Sequence, residues 1–226
     1  MNRLFLAGIT LLLLTSSAFA QPETGQRPGG RRTTEQQPQT AAPAAPNAQA
    51  RPAAPLEEKS SVTRNSVRIG GQQINYTATA ANYIIKADDG SPKASFFFVA
   101  YIKDEVPDKS KRPLSFIYNG GPGSASSYTH MGLGPRRIVL TDDGFGMPAP
   151  YSVVENGDSF LDATDMVFVD AISTGYSRPA PGENTAQFYG VEQDAQWFAD
   201  FIYQYITRNE RWASPKFLIG ESYGTT

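Results

Sequence analysis

The chain has 226 residues, of which 40% are hydrophobic and 12% aromatic, and this is enough apolar material for the core of an ordinary domain. Its formal net charge of -2 gives no reason to expect nucleic acid or an anionic membrane surface as a partner. The absence of cysteine excludes disulfides, thiolate metal sites and cysteine nucleophiles, and a single histidine excludes a multi-histidine metal site.

The N-terminus has the pattern of a secretion signal. Arg3 precedes an apolar run over residues 4–14 that is too short to span a bilayer, and residues 18–20 form an Ala-Phe-Ala cleavage site. A buried N-terminal helix is the alternative interpretation. Because no cysteine follows the cleavage site, no lipoprotein-type anchor is expected. We predict that residues 1–20 are a signal peptide and that the protein is exported, to a periplasm or to the medium.

A polar segment follows the predicted signal peptide. Residues 21–60 are rich in Pro, Ala, Gln, Thr and Arg, so they cannot bury enough apolar surface to offset the entropy lost on ordering. Arg27, Arg31 and Arg32 would suit a binding role, but a solvated linker is the preferred interpretation. We predict a disordered linker over residues 21–60 and a folded part over residues 61–226.

The folded part begins with segments that alternate between polar and apolar residues, as half-buried strands do. The predicted strands lie at residues 66–69, 72–79, 82–86 and 94–103. Gly70-Gly71 and Ala80-Ala81 are the predicted connections, and Gly-Gly suits a tight hairpin. We expect an antiparallel meander at one edge of a sheet.

The next strands have a different character. Residues 114–118 and 165–170 are apolar without alternation, which is typical of strands buried on both faces of a parallel sheet. Residues 184–209 carry apolar side chains at spacings of three and four and predict a helix, with a start at Val191 favoured if Gly190 weakens the first turn. A short buried strand is predicted at residues 217–220. This order of strands and helix predicts an α/β fold with a right-handed crossover.

The last predicted strand leads into Gly220-Glu221-Ser222-Tyr223-Gly224, a Gly-x-Ser-x-Gly sequence. This is the layout of a nucleophile elbow, in which a serine lies on a tight strand-to-helix turn. Glycines are needed because the turn brings backbone segments close together, and we expect strained backbone angles at the serine. A glycine-flanked serine in an ordinary turn is the alternative.

A second glycine-rich motif, Asn-Gly-Gly-Pro-Gly, follows the strand at 114–118 and occupies residues 119–123. Such a loop exposes backbone N–H groups, and α/β-hydrolases take one oxyanion-hole amide from a loop of this kind. The other amide comes from the residue after the nucleophile, here Tyr223. A simple turn is the alternative interpretation.

Three motifs in order resemble the serine carboxypeptidase family. They are residues 119–123, then Val169-Asp170 with Thr-Gly-Tyr-Ser at 174–177, and residues 220–224. The resemblance implies an α/β-hydrolase fold. The part present here would be the N-terminal half of a mostly parallel central sheet, with an antiparallel edge meander and flanking helices.

The resemblance also implies the roles of the residues that carry out the chemistry. Ser222 would be the nucleophile, and the amides of Gly121 and Tyr223 would form the oxyanion hole. Each oxyanion donor is worth about 3 kcal/mol of transition-state stabilisation. No metal or organic cofactor is expected.

The resemblance further implies a site for the terminal carboxylate of a peptide or protein substrate. Asn119, the amide of Gly120 and Glu221 would bind this carboxylate. Two carboxyl groups form a hydrogen bond only if they share a proton, because two ionised groups repel at close range. Peptide hydrolysis is therefore expected to be fastest at acidic pH.

The chain departs from the family pattern at several positions. Ser124 stands where the family usually has cysteine, and Ile117 stands where many members have tryptophan. Gly132 falls where many members have an acidic residue that supports carboxylate binding. Either Arg136 or Arg137 would suit direct contact with a carboxylate, although a solvated pair is the preferred interpretation.

In α/β-hydrolases the acid and the histidine of the triad follow the serine, whereas this sequence ends four residues after Ser222. His130 precedes the nucleophile and is not expected to be the base. We therefore expect these residues to be the N-terminal part of a longer enzyme, inactive and prone to aggregate by itself. Alternatives are an esterase or acyltransferase of the same fold, or a non-catalytic protein that binds peptide C-termini.

Overall fold

Residues 55–226 are described by a computed structural model. The predicted signal peptide and nearly all of the predicted linker lie outside these residues. The strands are β1 (Ser60–Ile69), β2 (Gln72–Lys86), β3 (Pro92–Lys103), β4 (Leu114–Tyr118), β5 (Arg136–Ile138), β6 (Val153–Glu155), β7 (Asp165–Val169), β8 (Arg178–Pro179) and β9 (Lys216–Gly220). The helices are α1 (Ser127–Leu133) and α2 (Val191–Arg208).

A single mixed sheet organises these elements in the order β1-β2-β3-β7-β4-β9, with β8 paired to β3. Strands β1, β2 and β3 form an antiparallel meander, and β3 pairs antiparallel with β7. Strand β4 lies between β7 and β9 and is parallel to both. The predicted edge meander and the predicted α/β class are confirmed. Strands β5 and β6 form a separate two-stranded hairpin.

The meander differs from the prediction in two places. Strand β2 runs through Ala80-Ala81 without a turn, because Ala81 pairs with both Ser60 and Phe98 and its side chain is buried in the core. The small side chains of Ala80 and Ala81 are therefore a poor predictor of a connection between two strands. Strand β1 also begins at Ser60, six residues before the predicted strand at 66–69, and the Glu58 carboxylate just before it accepts two hydrogen bonds from the Arg208 guanidinium at 2.7 and 3.0 Å.

The sheet buries a hydrophobic cluster on each face. On one face α2 packs Phe201 and Tyr205 against Phe96, Phe98 and Phe116. These rings meet edge-on or tilted, as aromatic pairs in protein cores prefer. The other face is covered by α1 and the connection that precedes β7, and its buried residues are Val67, Ile69, Ile74, Tyr76, Ile117, Leu161, Met166 and Phe168.

Helix α2 begins at Val191, the start favoured by the glycine that precedes it. Gly190 has a φ of 134°, and a short 3₁₀ turn, Thr185–Phe188, comes before it. Among residues 55–226, neither helix is long and apolar enough to cross a membrane.

The prediction that residues 217–220 form a buried strand is wrong in its burial. Strand β9 lies at the end of the strand order and pairs with β4 along one edge. Phe217 is 53% exposed and Leu218 is 62% exposed. The apolar sequence correctly indicated a strand, but burial depends on neighbours that the sequence pattern does not specify.

A buried charge cluster fixes the end of the sheet opposite to the glycine-rich motifs. Asp165, at the start of β7, accepts hydrogen bonds from Arg211 Nη1 at 2.7 Å and from Arg112 Nε at 3.2 Å. It also accepts one from the Lys103 backbone N–H at 3.0 Å. The three charged side chains are at most 9% exposed. Because Arg112 precedes β4 and Arg211 precedes β9, the cluster ties together the starts of all three parallel strands.

Replacing Asp165 by Asn is expected to lower the free energy of unfolding by about 3–5 kcal/mol, because it leaves two buried guanidinium groups without their counter-ion. Urea unfolding of the full chain measures this loss. Asp158, which is exposed, provides the matched control, and Asp158→Asn should change the free energy by less than about 0.5 kcal/mol. Equal effects of the two substitutions would contradict this account.

The histidine is part of the core on the α1 face. His130 Nε2 lies 2.6 Å from the Tyr101 hydroxyl, and the imidazole stacks on the Phe168 ring with centroids 4.6 Å apart. Burial lowers the pKa of His130 to about 4 and raises the pKa of Tyr101 to about 12. Both side chains are therefore neutral in the native state over a wide pH range.

His130 should make the protein less stable in acid. Its pKa is about 4 in the folded chain and 6.5 when the imidazole is free in water, as in the unfolded chain. Between these two values the unfolded state therefore binds more protons than the folded state. The free energy of unfolding is thus expected to fall by about 2 kcal/mol between pH 7 and pH 5 relative to a His130→Gln variant. Urea unfolding of both proteins at the two pH values tests this, and parallel pH dependences would contradict it.

Candidate active site

Strand β9 ends in the predicted elbow. Ser222, two residues after the end of the strand, has a φ of 55°, a left-handed conformation that residues other than glycine rarely adopt. The strained serine predicted from the sequence is therefore present. A Cβ at Gly220 would overlap the carbonyl oxygen of Gly224, so this turn requires glycine for lack of space. Ser222 is exposed at the surface of the described residues.

The elbow lies beside the loop at residues 119–123 because β4 and β9 are parallel and in register. Tyr118, the last residue of β4, pairs with Gly220, and its carbonyl accepts a hydrogen bond from the Glu221 N–H at 3.2 Å. Gly120 then packs directly on the elbow: a Cβ there would come within 2.6 Å of the Glu221 carbonyl oxygen and the Gly224 nitrogen. The atom nearest to this Cβ would be the backbone nitrogen of Tyr223.

The two segments that carry the predicted oxyanion amides are thus brought into contact. Gly121 follows Gly120 with a φ of 114°, and a Cβ there would lie 2.8 Å from the Ser124 nitrogen. Tyr223 contributes its backbone nitrogen from the other side. The loop is held in one conformation by close backbone packing, and this is the preorganisation that an anion-binding pair of N–H groups needs.

A side-chain pair joins the loop to the elbow. Asn119 Nδ2 donates a hydrogen bond to Glu221 Oε2 at 3.0 Å, across 102 residues of sequence. Asn119 is 7% exposed, whereas Glu221 is exposed. The pair therefore has a buried, fixed donor and an acceptor that solvent and a ligand can reach.

Helix α1 fixes the orientation of the Asn119 amide. Its Oδ1 accepts hydrogen bonds from the Thr129 backbone N–H and from Thr129 Oγ1, each at 3.0 Å. A backbone N–H can only donate, so the atom that faces it has to be the amide oxygen. Nδ2 consequently faces Glu221. Thr129 was not singled out from the sequence, where an isolated threonine in a polar stretch carries no signal.

A cavity of about 650 Å³ adjoins the elbow on the side of α2. Its wall includes Tyr118, Tyr223, Phe198 and Asp194, but not Ser222. The Tyr223 hydroxyl donates a hydrogen bond to Asp194 Oδ2 at 3.0 Å. Burial raises the pKa of Asp194, and this hydrogen bond opposes the rise. The cavity and the Asp194–Tyr223 contact were not predicted, because α2 approaches the elbow only in the folded chain.

The other candidates are not brought to this site. His130 makes its contacts with Tyr101 and Phe168 in the core beneath α1. Arg136 and Arg137 lie in the β5–β6 hairpin, where Arg136 Nη2 donates to the Val153 carbonyl at 3.2 Å. Across residues 55–226, no group of three or more His, Cys, Asp or Glu side chains could hold a metal ion.

A glycine-flanked serine with positive φ at the end of a strand, next to a glycine-rich loop, is the geometry of a nucleophile elbow. The family model described as serine carboxypeptidase matches residues 72–226. The chain belongs to the serine carboxypeptidase family, and the resemblance seen in its three motifs is confirmed. A comparison with curated proteins finds no match.

The elbow offers a direct test of its packing. Gly220→Ala is expected to lower the free energy of unfolding by about 1–3 kcal/mol, because its methyl group has no space beside the Gly224 carbonyl. Urea unfolding of the full chain measures this. Gly132→Ala is the control: nothing lies within 4 Å of a Cβ at Gly132, and alanine favours the helix. A Gly220→Ala protein as stable as the Gly132→Ala control would contradict the close packing of Gly220 against the Gly224 carbonyl.

Proposed function

We propose that this chain is an exported serine carboxypeptidase-like peptidase of the α/β-hydrolase fold, which removes C-terminal residues from peptides through an acyl-enzyme at acidic pH. The main support is the Asn119–Glu221 hydrogen bond, which lies next to Ser222. An amide donor and a carboxyl group at this position suit recognition of a terminal carboxylate one residue beyond the bond that is cut. Export is supported by the pattern at residues 1–20.

The proposed chemistry begins at Ser222. Its hydroxyl oxygen attacks the carbonyl carbon of the last peptide bond, its proton passes to a base, and the carbonyl oxygen takes up negative charge. The N–H groups of Gly121 and Tyr223 stabilise this oxyanion. Collapse of the intermediate expels the C-terminal amino acid, which takes a proton as it leaves. Water then hydrolyses the acyl-enzyme and regenerates the serine.

The proposed carboxylate site explains the acidic pH. Asn119 donates to one oxygen of Glu221, and because Glu221 is exposed, its other oxygen is accessible to a substrate carboxylate. A hydrogen bond between Glu221 and the substrate carboxylate requires one proton for the two groups. Loss of that proton at higher pH would turn an attraction into a repulsion. Binding of peptides with a free C-terminus should therefore weaken as the pH rises.

The base is the one component that the described residues do not supply. His130 does not fill this role, because its Nε2 is hydrogen-bonded to the Tyr101 hydroxyl and its ring stacks on Phe168. In enzymes of this fold, the acid and the histidine follow the nucleophile in chain order.

The strand order is consistent with the proposed α/β-hydrolase fold. The carboxyl ends of the three parallel strands β4, β7 and β9 lie side by side at one end of the sheet. The glycine-rich loop follows β4 and the elbow follows β9. In open α/β sheets, ligands bind at the carboxyl ends of the strands. The six predicted site residues all lie at these carboxyl ends.

The proposal is tested on the exported protein as its native source produces it, with three substrates: an N-blocked dipeptide with a free C-terminus, its C-terminal amide, and a simple acyl ester. Hydrolysis of the free-acid dipeptide is expected to fall between pH 5 and pH 8 because Glu221 loses the shared proton. The ester, which has no carboxylate, should not show this fall. A fluorophosphonate probe should label Ser222.

Two variants separate the roles. Ser222→Ala should lose labelling and about 10³-fold or more of kcat on every substrate. In Glu221→Gln an NH₂ donor replaces the shared proton, so hydrolysis of the free acid should no longer fall between pH 5 and pH 8, while ester hydrolysis is retained. Dipeptide hydrolysis that rises from pH 5 to pH 8 would contradict the acidic mechanism, and hydrolysis of the ester alone would identify an esterase.

A further inference from the structure

Asp170 is a buried carboxylate that the proposed chemistry does not use. It follows β7 directly and is 8% exposed. Its Oδ1 accepts a hydrogen bond from the Ser126 backbone N–H at 2.9 Å, and its Oδ2 accepts one from the Tyr176 backbone N–H at 3.0 Å. A single side chain thus joins two segments that lie 50 residues apart in sequence.

One of these segments leads to the proposed carboxylate site. Ser126 immediately precedes α1, and its Oγ accepts a hydrogen bond from the Asn119 N–H at 3.2 Å and donates one to the Val169 carbonyl. Three residues later, Thr129 holds the Asn119 amide oxygen. Both contacts that orient Asn119 therefore come from the start of α1, and Asp170 holds that start in place.

The other segment encloses Asp170. Gly175 has a φ of 46°, and a Cβ there would overlap the Asp170 carboxylate. Ser177, which is fully buried, donates from Oγ to the Asp170 carbonyl at 2.7 Å. The Thr-Gly-Tyr-Ser sequence at 174–177 therefore forms a turn that encloses the Asp170 side chain and holds this side chain in a single orientation.

We infer that Asp170 is a positioning residue for recognition of the substrate carboxylate. It acts through Ser126 and α1 on Asn119, and so directs the amide donor at Glu221. This role rests on the proposed function of the Asn119–Glu221 pair. Asparagine at position 170 can accept only one of the two N–H bonds, because its own NH₂ group faces the other donor.

The test compares kcat/KM of the exported protein, as its native source produces it, on the free-acid dipeptide and on its C-terminal amide at pH 5. In Asp170→Asn, kcat/KM for the free acid should fall roughly tenfold, mainly through KM, because one buried donor is left unpaired and the start of α1 shifts. The value for the amide should stay within about threefold of wild type. The preference for the free acid is therefore the quantity that changes.

Asp165→Asn is the matched control, since it removes a buried carboxylate at the opposite end of the same strand. It lowers stability but should leave the ratio of the two kcat/KM values unchanged. Equal losses on both substrates in Asp170→Asn, or no loss on either, would overturn the inferred role. Wild-type protein that shows no preference for the free acid would instead overturn the proposed function.

A second variant and a second measurement cover the case in which Asp170→Asn folds poorly or the wild type is inert. Ser126→Ala keeps the backbone contact to Asp170 but cuts the link to Asn119, and it should also lose the free-acid preference. The effects of Ser126→Ala and Asp170→Asn on the free-acid preference should be less than additive in the double variant, because both substitutions act on the position of Asn119. Amide hydrogen exchange over residues 119–129 should be faster in Asp170→Asn, and unchanged exchange would overturn the role without reference to catalysis.

Discussion

The contact between Gly120 and the elbow is the constraint on which the site depends. Two backbone segments from the ends of neighbouring parallel strands meet so closely that a single Cβ at Gly120 would come within 2.6 Å of three backbone atoms. This contact sets the separation between the predicted oxyanion amides and brings Asn119 to Glu221. The glycines of both motifs therefore serve one geometric requirement, which explains why they occur in two distant parts of the chain.

The sheet makes this contact inevitable once its register is fixed. Because β4 lies between β7 and β9 and is parallel to both, the residues that follow these three strands emerge side by side. They are Asn119, Asp170 and Glu221, one after each strand. Asn119 donates a hydrogen bond to Glu221, and Ser126 links Asp170 to Asn119. At the opposite edge, Asp165 and its two arginines hold the starts of the same strands. The buried charge cluster and the predicted site residues thus lie at opposite ends of the parallel strands.

The sequence predicts the motifs better than it predicts their surroundings. The strained Ser222 and the glycine-rich loop follow from local patterns, since each reflects a steric need within a few residues. The continuity of β2 through Ala80-Ala81 and the exposure of β9 depend instead on which strands become neighbours. Asp170 was visible as part of a motif, but its function depends on Ser126 and Tyr176, which approach it only after folding. A local pattern carries no information on such contacts.

The acidic activity proposed for Glu221 and the burial of His130 set opposite limits on the working pH. Proton sharing between Glu221 and a substrate carboxylate weakens as the pH rises, which places an upper limit on peptide binding. Burial gives His130 a pKa of about 4, so below that value the native state has to hold a charge in an apolar cluster. The proposed proton sharing weakens as the pH rises, whereas protonation of His130 in the unfolded chain lowers the stability of the fold as the pH falls below about 6.5.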